Sequence, residues 1–282
     1  MGIVRVWRLT CRNKPDAVEL IFKPAPRSLD EAAGHLPPCA YTTLRTYQGN
    51  RVLHLEWQVR RLEQTARLAN LPLQVDMDCL RTAMRQVVAD YNAVDVRMRI
   101  YLDLSQEPGV VYLAVERLRQ PPRRLYLDGA AAITRVMHRD EPQAKRSEFL
   151  SLAAEVRRGI TGPVHEVLMV STEGRLLEGL SSNFFGVRSG ELWTAGDGIL
   201  PGFTRELVLD EAKRLGIVVH FEAVHLAEVG ILEEAFITSA TRGVLPIVRI
   251  DDHIIGNGKP GPITRRLRSA YERRVIQEAE LL

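Results

Sequence analysis

Apolar and polar residues alternate with a period of two over residues 4–9 and 17–22, which predicts two β-strands near the start of the chain. Residues 41–47 and 51–55 repeat the alternation on either side of Gln48-Gly49-Asn50, a spacing that predicts a β-hairpin. The period then lengthens. Val59, Leu62, Ala66 and Ala69 recur at helical spacing, so residues 57–69 are expected to form a helix with Arg60 and Arg61 near its start. Residues 77–91 keep the helical period, and residues 94–104 and 110–115 return to alternation as a pair of strands. Farther on, strand patterns occupy 131–136, 166–171, 184–187 and 192–194. Helical patterns occupy 148–158, 205–215 and 264–277.

Pro121-Pro122, within residues 119–124, interrupts both periods, because proline lacks the amide donor and holds its backbone at a fixed φ. The expected organisation is a smaller α+β domain over 1–118, a linker over 119–124 and a larger α+β domain over 125–282. Strands and helices are mixed too irregularly for a doubly wound sheet.

Composition removes several function classes. The 282 residues carry 38 basic and 35 acidic side chains, spread along the chain without the dense basic stripe of a phosphate-backbone binder, so nucleic acid is not an expected partner. Arg117, Arg119, Arg123 and Arg124 cluster locally and read as a solvated linker. Three cysteines, Cys11, Cys39 and Cys79, lack metal-ligand spacing and are expected to be buried or free thiols. The seven histidines share no common spacing, and no metal is expected. No stretch has the length of a membrane span, and residues 1–11 lack a cleavable leader pattern, which together suggest the cytoplasm.

Four segments carry candidate chemistry. Lys145 stands in Gln143-Ala144-Lys145-Arg146-Ser147-Glu148, at the entry to a predicted helix. Glu178-Gly179-Leu180-Ser181-Ser182-Asn183 places one carboxylate beside a glycine and a small polar run between two strand patterns. Gly198-Ile199-Leu200-Pro201-Gly202-Phe203-Thr204-Arg205 opens a helix with a hydroxyl at its N-terminus, an arrangement suited to a phosphate. Ser239-Ala240-Thr241 is a second hydroxyl-bearing turn after an apolar strand. Singly, each has an ordinary structural explanation: a solvated lysine, a polar turn, a helix cap and a Ser/Thr turn.

In combination, from about residue 40 onward, these segments resemble the class IV aminotransferases. That is the fold-type IV group of pyridoxal phosphate enzymes, with branched-chain aminotransferase, D-amino acid aminotransferase and aminodeoxychorismate lyase among its members. The resemblance implies a two-domain fold with the active site between the domains, a homodimer, and pyridoxal 5′-phosphate held as a Schiff base on Lys145. It implies further that Glu178 contacts the pyridine nitrogen. Arg61, Ser182, Asn183, Phe203, Thr204, Ser239, Ala240 and Thr241 would complete the cofactor site. The activity implied is ping-pong transamination between an amino acid and a 2-keto acid. For the substrate carboxylate, Arg97 and Arg99 stand on one face of a predicted strand, either as its readers or as exposed strand charges, and Tyr41, Arg45 and Tyr47 alternate on the hairpin either to line a pocket or as sheet-face residues. The chain departs from the pattern at Ala240, where branched-chain enzymes carry threonine, and at Glu148 and Phe149 after the lysine. Two alternatives stay open: an aminodeoxychorismate lyase, and a member that keeps fold and cofactor without catalysis. Donor identity and handedness are not legible in these residues.

Overall fold

The computed structural model describes residues 4–10 and 16–282; Cys11 lies outside them. In chain order the elements are β1 (Arg5–Thr10), β2 (Asp16–Leu20), α1 (Leu29–Ala33), β3 (Cys39–Arg45), β4 (Arg51–Leu53), α2 (Leu55–Leu68), α3 (Met77–Tyr91), β5 (Val96–Asp103) and β6 (Val111–Arg117). Then follow α4 (Arg123–Leu127), β7 (Ala130–Val136), α5 (Glu148–Arg158), β8 (Glu166–Val170), β9 (Leu176–Gly179), β10 (Ser182–Arg188), β11 (Glu191–Trp193), α6 (Phe203–Arg214) and β12 (Val219–His220). A 3₁₀ turn at Leu226–Ile231, β13 (Glu234–Ser239), β14 (Gly243–Ile250), β15 (His253–Ile254), α7 (Pro262–Glu278) and β16 (Ala279–Leu281) complete the chain.

Two compact units result. The first comprises residues 1–119, 144–156 and 278–282, and the second residues 120–143 and 157–277. This differs from a single cut in the linker. The chain does pass from one unit to the other beside the two prolines, where Pro122 immediately precedes α4 and the arginines at 123 and 124 begin a helix rather than a loop. Later it returns: the segment around Lys145 belongs with the first unit. The reason is backbone hydrogen bonding to β3, with Tyr41 N donating to Lys145 O, Ser147 N to Cys39 O, and Cys39 N to Ser147 Oγ.

In the first unit five antiparallel strands lie in the order β2-β1-β6-β5-β3. One face of this sheet carries Met98, Ile100, Leu102, Leu113 and Val115, packed on Leu62 and Ala66 of α2 and Leu80, Met84 and Val87 of α3. Each such side chain, fully buried, contributes roughly 1.5–3 kcal/mol of transfer free energy. The opposite face carries Tyr41, Tyr101, Tyr112 and Ala114. The predicted hairpin over 41–55 does not form as a ladder. Tyr47 and Arg51 make a single bridge, but β3 pairs with β5, and β4 pairs with the C-terminal β16. Cys39 is a buried thiol whose burial pushes its pKa up to about 12, whereas Cys79 is disulfide-bonded, against the expectation of thiols throughout.

The second unit is built on a sheet ordered β12-β11-β10-β13-β14-β7-β8-β9, in which β9 also pairs with β10. That last pairing, Ser182 with Gly179 and Asn183 with Glu178, closes six of the strands into a ring. Leu168, Val170, Phe184, Ile237, Leu245 and Ile247 from these strands belong to one buried core cluster. Among the described residues no helix is long and apolar enough to cross a membrane, and no cluster of side chains has a metal-ligand arrangement.

Candidate active site

In the first unit, Lys145 is tied to its surroundings through the backbone. Its amide donates to Thr65 Oγ1 at 3.2 Å, and the same hydroxyl donates to Arg61 O at 3.0 Å, so one side chain joins the lysine segment to the turn of α2 that bears Arg61. Gln58, Arg61 and Thr65 recur along the buried face of α2, which explains how a guanidinium enters the interior on an amphipathic helix. The Arg61 guanidinium lies over the Trp57 ring, 5.5 Å from its centroid. Lys145 Nζ sits 5.1 Å from the centroid of the Tyr41 ring.

The candidate carboxylate readers share the Tyr41 face, because β3 and β5 pair Tyr41 with Tyr101, Thr43 with Arg99 and Arg45 with Arg97. Arg97 reaches Glu116 on β6 at 3.0 Å. Arg99 is buried: Nη2 lies 2.5 Å from Asp30 Oδ1, Nε donates to Thr43 Oγ1, and the guanidinium stands 5.3 Å from the Tyr41 centroid. Burial alone pulls its pKa down, but the phenol of Tyr101 and the Asp30 carboxylate raise it overall, so Arg99 stays charged.

In the second unit, Glu178 lies at the closure of the strand ring with its carboxylate enclosed. Arg139 Nε donates to Oε1 at 2.7 Å, while Asn183 Nδ2 and Leu200 N donate to Oε2 at 3.1 and 3.2 Å. Asn183 also donates to Leu200 O, so its amide fixes the carboxylate to the loop that leads into α6. A side chain at Gly202 would place its Cβ 2.1 Å from Asn183 Oδ1, which is why the helix entry needs glycine here. Gly202 caps α6 without a side-chain bond, Phe203 and Thr204 open the helix, and the buried Thr204 Oγ1 has no hydrogen-bond partner among the described residues. Thr238 Oγ1, on β13, is buried in the same condition.

Ser239 ends β13, and Ala240, Thr241 and Arg242 turn the chain into β14. Arg242 holds this turn: Nε donates to Ser239 Oγ at 3.1 Å, and Nη2 donates to Glu166 Oε2 at 2.6 Å and Ser181 Oγ at 3.1 Å. Ser182 Oγ donates to Glu166 rather than pointing elsewhere. Burial pushes the Glu166 carboxyl up, yet Arg242 and Ser182 hold it below the ordinary carboxylate range. Four residues that hold these groups, Asp30, Arg139, Glu166 and Arg242, escaped sequence reasoning, since nothing local marks an arginine or carboxylate as buried. The Gly256–Arg265 stretch has a structural reason. Glu234 accepts from Ile263 N and Thr264 N at the start of α7, and a Cβ at Gly261 would collide with it.

Comparison with known proteins places the chain in a family. Residues 39–250 match the family model for class IV amino-transferases. A probable branched-chain-amino-acid aminotransferase of Thermotoga maritima is 30% identical over 277 residues, covering 97% of each chain. A crystal structure of a putative branched-chain amino acid aminotransferase from the same organism superposes with a TM-score of 0.75 at 27% identity, covering 97% of this chain and 96% of that one. The fold is shared with the branched-chain amino acid aminotransferase of Thermoproteus uzoniensis solved with norvaline, at a TM-score of 0.74, 24% identity and coverage of 99% and 96%. With most of its length matched by the family model and almost all of it by a relative at 30% identity, the chain belongs to the class IV aminotransferases.

Proposed function

We propose that this enzyme holds pyridoxal 5′-phosphate on Lys145 and moves an amino group from a small aliphatic amino acid to a 2-keto acid by a ping-pong route. The observation that carries the reading is the start of α6, where a helix N-terminus without a side-chain cap coincides with the buried, unsatisfied hydroxyl of Thr204. Such a pair of features suits an anionic phosphate, because the first-turn amides and the helix dipole favour negative charge. The residues present fit the rest of the cofactor as well: a carboxylate for the ring nitrogen at Glu178, an amine at Lys145 and a buried guanidinium at Arg61.

When bound, the cofactor supplies an electron-withdrawing ring that takes up negative charge as the substrate's Cα–H bond breaks. Glu178, whose carboxylate is fixed by Arg139 and two amide donors, would face the ring nitrogen and favour its protonated form. Asn183 and Arg139 act as positioning residues for that carboxylate, and Arg242 does the same for Ser239. Arg61, the α6 amides at Phe203 and Thr204, the Thr204 hydroxyl, Ser239, Thr241 and the Ala240 amide would hold the phosphate. Lys145 Nζ would take the substrate's Cα proton and hold it for return, which places general acid and base at one atom. Arg99 and Tyr41 receive the substrate carboxylate, with Arg97 beside them on the strand. Relatives carrying the branched-chain name direct the choice of donor. We further propose a cytoplasmic homodimer, for which light scattering is the check on assembly.

Borohydride reduction followed by peptide mass spectrometry tests the reading. A cofactor adduct on Lys145, lost in Lys145→Ala together with glutamate formation from leucine and 2-oxoglutarate, supports it. An adduct on another lysine, or none, overturns it.

A further inference from the structure

Glu178, Asn183 and Thr238 stand in one row across three neighbouring strands. Asn183 on β10 is the register partner of Glu178 on β9 and, on its other side, of Thr238 on β13. Residues directly opposite in antiparallel strands project from the same face, with Cβ atoms about 4.5–5.5 Å apart. The next pair on that face, Phe185 and Phe236, stacks with ring centroids 4.8 Å apart, whereas Phe184 and Ile237 alternate to the other side and join the buried core. One face of the second unit's sheet thus carries a carboxylate, an amide and a hydroxyl side by side.

The carboxylate and the amide have partners, Glu178 accepting from Asn183 Nδ2 and Leu200 N, and Asn183 donating to Leu200 O at 2.7 Å. The hydroxyl has none. Thr238 is 1% exposed, and its Oγ1 makes no hydrogen bond among the described residues. A buried hydroxyl in this condition has lost its bonds to water and gained nothing in exchange. Its place in the fold shows where a partner would come from. Thr238 is one cross-strand step from Asn183, whose Oδ1 packs on Gly202, the residue that leads into α6, and α6 itself lies beside β13. The first turn of α6 holds the other such hydroxyl, that of Thr204, at a helix N-terminus without a side-chain cap.

We propose that Thr238 is a further phosphate-binding residue, its hydroxyl donating from the sheet to the anion that Thr204 and the α6 amides meet from the helix. The inference rests on the cofactor site proposed above. A threonine hydroxyl is neutral and exchanges no proton in the reaction, so Thr238 contributes to holding the cofactor. Replacing it with an apolar group of the same shape then acts in opposite directions on two quantities. The apoprotein loses an unsatisfied donor and is no less stable, while the loaded protein loses a hydrogen bond.

The test uses full-length apoprotein of wild type, Thr238→Val and Thr238→Ser. Each is titrated with pyridoxal 5′-phosphate and, separately, with pyridoxal, followed by absorbance, and its midpoint in urea is measured without cofactor. Pyridoxal 5′-phosphate affinity is expected to fall roughly tenfold in Thr238→Val, the scale of one neutral hydrogen bond, and to return to within about twofold of wild type in Thr238→Ser. Pyridoxal affinity should stay within about twofold of wild type, and the urea midpoint of Thr238→Val should equal or exceed that of wild type. Unchanged pyridoxal 5′-phosphate affinity in Thr238→Val, an equal loss for pyridoxal, no recovery in Thr238→Ser, or a lowered apoprotein midpoint overturns the proposal, the last because the hydroxyl would then serve the fold alone. Should Thr238→Val fail to fold, Thr238→Ala repeats the two titrations, and failure of both also overturns it. The reduced adduct at Lys145 separates the two readings: without it the proposed function falls, and with it but without the loss in Thr238→Val only the role of Thr238 falls.

Discussion

Each unit buries arginine beside carboxylate, yet the two units use that arrangement differently. In the second, Arg139 and Arg242 enclose Glu178 and Glu166 so fully that neither carboxylate has an alternative to its partners. In the first, Arg99 is enclosed but Asp30 keeps a path to water. A carboxylate such as Glu178, with both oxygens committed to donors, is a fixed charge. The same two residue types are thus enclosed to different degrees, and the difference lies in how much of the carboxylate water reaches.

The sharpest way to break the comparison is to neutralise the fixed charge itself. Glu178→Gln is expected to lower kcat about a thousandfold, the scale of losing one preorganised electrostatic contact, while the reduced adduct at Lys145 still forms. Steady-state kinetics and mass spectrometry on one preparation check both halves. Next in size is Arg242→Met, which strands the Glu166 carboxylate in the interior. Breaking a buried pair from one side costs about 3–5 kcal/mol, read as a lower midpoint in urea. The sign with pH follows from Glu166. In the native protein its pKa is depressed below 4.5, so the pair stabilises the fold above the unfolded value and that contribution fades as pH falls through the folded one. The deficit of Arg242→Met should therefore be greatest near neutrality and shrink in acid; a deficit constant from about pH 7 to about pH 3 contradicts the assignment. The smallest effect belongs to Gly202→Ala. Its Cβ would stand 2.1 Å from Asn183 Oδ1, and relieving that contact is expected to cost about 1–3 kcal/mol and weaken pyridoxal phosphate affinity through the displaced α6 entry.

What the sequence discloses follows the range over which each signal acts. The spans of α3 and α5 coincide with the periodic stretches 77–91 and 148–158, because an amphipathic helix carries its whole pattern within itself. The turn at Gln48-Gly49-Asn50 is equally visible, and Tyr47 and Arg51 do meet across it. Strand pairing is another matter. The partner of β4 is the last strand of the chain, and no local pattern in residues 41–55 contains that information. Among the proposed site residues, Lys145, Glu178 and Thr204 stand out only through the ordered set of motifs. Asp30, Arg139 and Arg242 were not identifiable at all, since buried and solvated arginines are written alike and only the folded chain distinguishes them.

The return of residues 144–156 and 278–282 to the first unit has a consequence for anyone dissecting the gene. Severing the chain at the two prolines looks like separating two modules. The first fragment, however, would lose the lysine-bearing stretch that hydrogen-bonds along β3 and the closing strand that pairs with β4, leaving open edges on both. The conspicuous joint in this polypeptide is not a seam along which it comes apart, and a fragment that folds alone would have to be spliced from three separate stretches.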